Sequence, residues 1–143
     1  MFKTLVKHGI WSESRPDIDT SEALLRAAQH GNHVCVSMLL GVNANVSVTD
    51  RLGRSPLLLA STNDKDTNIE LLLNAGADAD ATDKNGWTCI MWACREDRQK
   101  NVELLLLAGG DPSAGSNDGW APLSVAAHYG RKNCTKFLLA AGA

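Results

Sequence analysis

His30, His33 and Cys35 lie close together in this chain, and Cys89 and Cys94 are five apart. Imidazole and thiolate are the groups zinc prefers, but a dependable zinc site needs paired ligands at fixed short spacings. Neither group has such a spacing, and Gly31 interrupts any helix that would align the two histidines. Asp78 and Asp80 could form an acid and base pair, yet they read as turn residues, whose carboxylates bond the local backbone. No phosphate-cradling glycine loop, nucleophile elbow or His-Glu-x-x-His sequence occurs. No catalytic residue, metal or cofactor is therefore expected, and the chain is not expected to be an enzyme.

The remaining chemistry is recognition. Large aromatic residues and arginine dominate binding energy where a partner covers them. Trp87, Trp92, Trp120 and Tyr129 supply the first kind, and Arg51, Arg54, Lys84 and Arg95 supply positive charge beside them. Whether they share a surface depends on the elements that carry them.

Those elements repeat. Gly53, Gly86 and Gly119 are spaced by 33 residues, and Gly76, Gly109 and Gly142 keep the same interval at another phase. A period of this length means a stacked solenoid. Residues 50–60 align with 83–93 and 116–126, matching Gly53, Pro56, Leu57 and Ala60 with Gly86, Cys89, Ile90 and Ala93, and with Gly119, Pro122, Leu123 and Ala126. Further on, Leu72, Leu73, Gly76 and Ala77 match Leu105, Leu106, Gly109 and Gly110, then Leu138, Leu139, Gly142 and Ala143.

These residues resemble the ankyrin repeat, whose pattern is D-x-x-G-x-T-P-L-H-x-A followed by a second helix ending in L-L-x-x-G-A. One period earlier, Asp17, Leu24, Ala27, Val36, Leu39, Leu40 and Ala44 keep the phases, with Thr20 and Asn43 replacing the two glycines. Phe2, Leu5, Val6 and Gly9 look like the outer helix of a still earlier repeat. The resemblance covers nearly the whole chain. It implies an all-α solenoid of helix-turn-helix units joined by β-hairpin-like loops. The 143 residues form one domain, divided at 1–16 (partial), 17–49, 50–82, 83–115 and 116–143.

The chain departs from the family pattern in places. Leu25, Leu58, Met91 and Ser124 stand where the family has His, and Glu22, Ser55 and Ala121 where it has Thr. Losing those hydrogen bonds between units predicts some loss of stability.

Elementary physics supports the same elements. Ser55 and Thr88 suit helix N-caps, and Pro56 suits a first helical position because it has no N–H to leave unpaired. Ile69, Leu72 and Leu73, then Val102, Leu105 and Leu106, recur at helical spacing. Glycines stop the helices by taking positive φ; Gly31 and Gly130 do so for two first helices, where Asp64 and Asp97 hold the same phase. Helices are predicted at about 22–30, 34–41, 55–63, 67–75, 88–96, 100–108, 121–129 and 133–141.

A net charge of −2 gives no global attraction to nucleic acid, and no stretch is long and apolar enough to insert in a membrane. No signal peptide is read ahead of the repeats. The four cysteines fit a reducing compartment, with Cys89 and Cys94 at small buried phases and Cys35 and Cys134 on second helices. A cytoplasmic or nuclear address is expected. Both ends read as cut, since apolar Phe2, Leu5, Val6, Phe137 and Leu138 provide no polar cap, so a longer natural protein is expected.

The resemblance also implies a concave face made of hairpin tips and first helices. Its variable phases fall on Arg51, Leu52, Arg54, Thr62 and Asn63; on Lys84, Asn85, Trp87, Arg95 and Glu96; and on Asn117, Asp118, Trp120, His128 and Tyr129. Trp92 borders the same groove, at a phase held by Arg26, Leu59 and Val125 elsewhere. The expected partner is another protein or a peptide segment, acidic with an apolar anchor.

Blander readings compete. Trp87 and Trp120 could pack on adjacent hairpins, Trp92 could fill space beside Met91, and the basic residues could pair with Glu96 and Asp118. Leu107 is expected to cover Leu104. The functional expectation is a scaffold or adaptor module. The alternatives are a substrate-recruiting arm of a larger enzyme or channel, such as a ubiquitin-ligase substrate receptor, and a structural spacer.

Overall fold

The computed structural model describes residues 20–143. The partial repeat at 1–16 and Asp17 lie outside the described residues. Eight helices follow in pairs among the described residues: α1 (Thr20–Gln29) with α2 (His33–Gly41), α3 (Pro56–Ser61) with α4 (Thr67–Asn74), α5 (Cys89–Arg95) with α6 (Gln99–Leu107), and α7 (Pro122–His128) with α8 (Lys132–Ala140). Each bound lies within two residues of its predicted position.

The first helices α1, α3, α5 and α7 pack in one row and the second helices α2, α4, α6 and α8 in another, each unit touching its neighbours. The core is the seam between the rows: Leu57, Leu58, Ile69, Leu72, Ile90, Met91 and Leu105 are fully buried. Helices this short are unstable alone, so burial of their apolar stripe, not propensity, holds them.

The cap residues work as their chemistry requires. Ser55 Oγ accepts from Leu58 N and Thr88 Oγ1 from Met91 N, both at 3.2 Å. Ala121 has no hydroxyl to offer, and Ser124 Oγ instead accepts from Ala121 N at 2.8 Å and donates to Ala121 O at 2.9 Å. Asn43 takes the left-handed backbone of the glycine it replaces, with φ 62°. Asp97 does the same at φ 57°, but Asp64 does not. Helix α3 stops at Ser61, and the longer connection to Thr67 is closed by Asn63 Oδ1 accepting from Lys65 N at 3.1 Å, with no positive φ needed.

Other side chains tie the units where the family His is missing. Asn63 Nδ2 donates to Ala28 O at 3.1 Å, and Asn101 Nδ2 donates to Ser61 O at 3.1 Å and Asn63 O at 2.8 Å. Arg98 Nε donates to Thr62 O at 3.1 Å, and Arg131 Nη2 donates to Arg95 O at 2.8 Å. Each of these groups reaches the carbonyl end of the preceding first helix, where helices leave acceptors unpaired and favour positive charge.

Cys89, Cys94 and Cys134 are buried, with Cys134 Sγ donating to Asp97 Oδ1 at 3.8 Å, and Cys35 is half-buried. Burial pushes the Cys89 thiol up to about 12. The Cys94 thiol is raised by its hydrogen bond with Cys134 and by burial. Iodoacetamide at about pH 8 should therefore alkylate Cys35 in the folded protein and spare Cys89 and Cys94 until denaturant is added. Peptide mass mapping before and after unfolding checks this order, and early alkylation of Cys89 would contradict the packing.

Candidate recognition groove

Each hairpin tip between units is a tight turn closed across its base. Asp50 N donates to Arg54 O at 3.0 Å, and Asp83 N to Trp87 O at 3.0 Å; Ser116 N and Trp120 O close the third. The tips also bond to one another, Lys84 N to Leu52 O and Asn117 N to Asn85 O, each at 3.0 Å. Residues following the tip glycines are thereby set side by side along the stack.

Asp83 organises the third unit's tip. Its Oδ1 accepts from Asn85 N at 2.9 Å and Trp87 N at 3.0 Å, fixing the turn, and its Oδ2 accepts from the Trp92 indole Nε1 at 3.0 Å. One buried carboxylate therefore holds both the backbone under Trp87 and the ring of Trp92. In the fourth unit Ser116 Oγ accepts from Trp120 N at 3.0 Å and donates to Asp118.

The rings brought together form a closed circuit. Trp92 and Trp87 have centroids 5.1 Å apart, Trp87 and Trp120 6.4 Å, Trp120 and His128 5.3 Å, and His128 and Tyr129 4.8 Å. Arg95 closes it, its guanidinium 5.8 Å from the Tyr129 centroid and 5.3 Å from that of Trp92. Arg95 Nε also donates to the Tyr129 hydroxyl at 3.3 Å. Tilted and edge-on aromatic pairs contribute about 0.5–1.5 kcal/mol each beyond area burial, so the circuit is held in place before any ligand arrives.

Beside one part of it lies an open pocket of about 340 Å³ lined by Asn85, Trp87, Trp92, Arg95 and Tyr129. Two indoles and a phenol line it together with the Arg95 guanidinium and the Asn85 amide. The three tryptophans are half-buried and packed partly against the core.

Other expected groove residues distribute unevenly. Arg51 and Lys84 are exposed at their tips and Leu52 is 57% exposed. Arg54 is half-buried and paired with Asp50 at 2.8 Å. Burial pushes the Asp50 carboxyl up, but the Arg54 amide and guanidinium and the Leu52 amide outweigh it and hold the carboxyl below its usual value. Arg95 contacts Glu96 at 3.6 Å. A separate, wider open groove of about 860 Å³ lies over the first two units, lined in part by Glu22, Arg26, Arg51 and Leu52.

Three expectations need correction. Leu59 and Val125 are buried, at 4% and 0% exposure, because their phase points into the packing between first helices and a short aliphatic side chain stays there. Trp92 shares that phase but is too large to be contained, and its indole emerges toward Asp83. Asn63 is a tie to α1 and not a free groove residue. Leu107, expected to lie over Leu104, is 77% exposed.

Sequence reasoning missed Asp83 as the anchor of both tryptophans. Part of the signal was available, since Asp83 holds the repeat's turn-forming Asp phase; the reach of Trp92 back to it is visible only in the folded chain.

The family model for ankyrin repeats in sets of three copies matches residues 1–83, 24–114 and 63–143. The chain belongs to the ankyrin-repeat family. Ankyrin repeats are generally protein–protein interaction modules and typically non-catalytic. No curated protein matches this ankyrin-repeat chain. Among the described residues, no helix is long and apolar enough to cross a membrane.

Proposed function

We propose that this ankyrin-repeat domain is a non-enzymatic binding module that holds a segment of another protein in the groove around Trp87, Trp92 and Trp120, acting as a scaffold or adaptor. The observation that carries the proposal is the closed aromatic circuit and its cavity on the side of the hairpin tips. Preorganised aromatic anchors with arginine beside them are the residue types in which binding energy concentrates. Free thiols, three of them buried, support a reducing compartment, the cytoplasm or nucleus.

Trp87→Ala and Trp120→Ala test it. Each is expected to weaken partner binding by about 2 kcal/mol. Affinity capture followed by quantitative mass spectrometry should show partners of the parent protein depleted from the double variant. Circular dichroism establishes that the variant is folded. Equal partner lists would remove the groove around Trp87 and Trp120 as the binding site.

A further inference from the structure

The charges around the groove are unequally committed. Asp50 is taken by Arg54, Asp83 by Trp92 and its own turn, and Asp118 by Ser116. Arg51 and Lys84, in contrast, make no ion pair with any described residue. Leu52 O accepts from Lys84 N, so Arg51, Leu52 and Lys84 lie on adjoining tips, and Asn85, next to Lys84, lines the cavity. A strip of positive charge thus leads into the aromatic circuit.

At the far wall Arg95 is half available. Its only acidic contact among the described residues is Glu96 at 3.6 Å, with the two side chains 41% and 38% exposed. A long, exposed pair of this kind contributes little, so an incoming carboxylate can replace Glu96 at small cost. A cationic ligand is the natural rival, because aromatic walls attract cations. Here the Arg95 guanidinium already lies over Trp92 and Tyr129, and a ligand ammonium would meet like charge.

Resting on the groove as the binding site, we infer that the partner is an acidic, extended protein segment. One apolar side chain enters the cavity between Trp87, Trp92 and Tyr129. One carboxylate sits on Arg95, and further carboxylates lie over Lys84 and Arg51. The apolar residue supplies the anchor, and the acidic run sets direction along the stack and speeds encounter.

Selection of short random peptides displayed on phage tests this, run in parallel on the parent protein, on a Lys84→Glu, Arg95→Glu variant and on the Trp87→Ala, Trp120→Ala variant. The parent should enrich peptides combining Asp or Glu with Phe, Leu or Trp. The best of these should bind the charge-reversed protein at least about tenfold more weakly, and the parent more weakly as salt is raised. Arg95→Glu also removes the packing of Arg95 on Trp92 and Tyr129, so an Arg51→Glu, Lys84→Glu variant, both side chains being exposed, is run beside it and should weaken the same peptides with circular dichroism unchanged.

Enriched peptides that are apolar without acid, or basic, yet still require Trp87 and Trp120, would overturn the acidic partner and leave the groove standing. Peptides indifferent to the tryptophan variant, or no enrichment at all, would overturn both.

Discussion

Gly86→Ala is expected to destabilise the protein by about 4 kcal/mol, while Gly119→Ala, one repeat later at the same phase, costs about 1–2 kcal/mol. Both glycines have positive φ, 79° and 87°, so both substitutions pay the left-handed backbone penalty. Their surroundings separate them. A Cβ on Gly86 would stand 2.9 Å from Asn117 N and 2.7 Å from Asn117 Oδ1, whereas one on Gly119 meets nothing within 4 Å.

Relieving the Gly86 contact means moving backbone, and that backbone carries Asn117 N to Asn85 O and Asn117 Nδ2 to Lys84 O. Two hydrogen bonds at about 1 kcal/mol each are then added to the conformational cost. Urea unfolding of the two variants measures the difference directly. Similar midpoints would show that the tips are free to separate and do not hold Trp87 against Trp120.

Asn101→Ala is expected to cost about 3 kcal/mol, and Asn68→Leu to stabilise by about 1 kcal/mol, although the two asparagines occupy one repeat phase and both are buried. Asn101 Nδ2 serves Ser61 O and Asn63 O, acceptors that truncation would leave buried and unpaired. Among the described residues, Asn68 has no partner for either Nδ2 or Oδ1. The corresponding carbonyl in the preceding unit, Ala28 O, is taken by Asn63 Nδ2. Replacing a buried amide that bonds to none of the described residues with an aliphatic group of similar size removes a desolvation cost. Thermal or urea midpoints should shift in opposite directions, and a loss in Asn68→Leu would mean that its amide is bonded after all.

The repeat frame was legible because it is written redundantly. The tip glycines, the Leu-Leu pairs and the cap hydroxyls recur at one spacing, so an error at any single position would not move a helix. The surface was less legible, because a first helix of six or seven residues makes about two turns, and one step along it rotates a side chain from groove to core. Leu59, Val125 and Trp92 show this at a single phase: side-chain size decided which of them reached the groove.

The bonds between units were hidden for another reason. Arg98, Arg131 and Asn101 act on carbonyls of the preceding unit, and a sequence names the donor without displaying the acceptor. Their recurrence ahead of and inside the second helices was the trace they left.

Because the two oxygens of Asp83 are divided between the turn beneath Trp87 and the indole of Trp92, neither can shift without the other. The same loop presents Lys84, whose amide donates to Leu52 O of the neighbouring loop. The ring of Trp92, the turn beneath Trp87 and the neighbouring loop are thus linked by one unbroken run of hydrogen bonds.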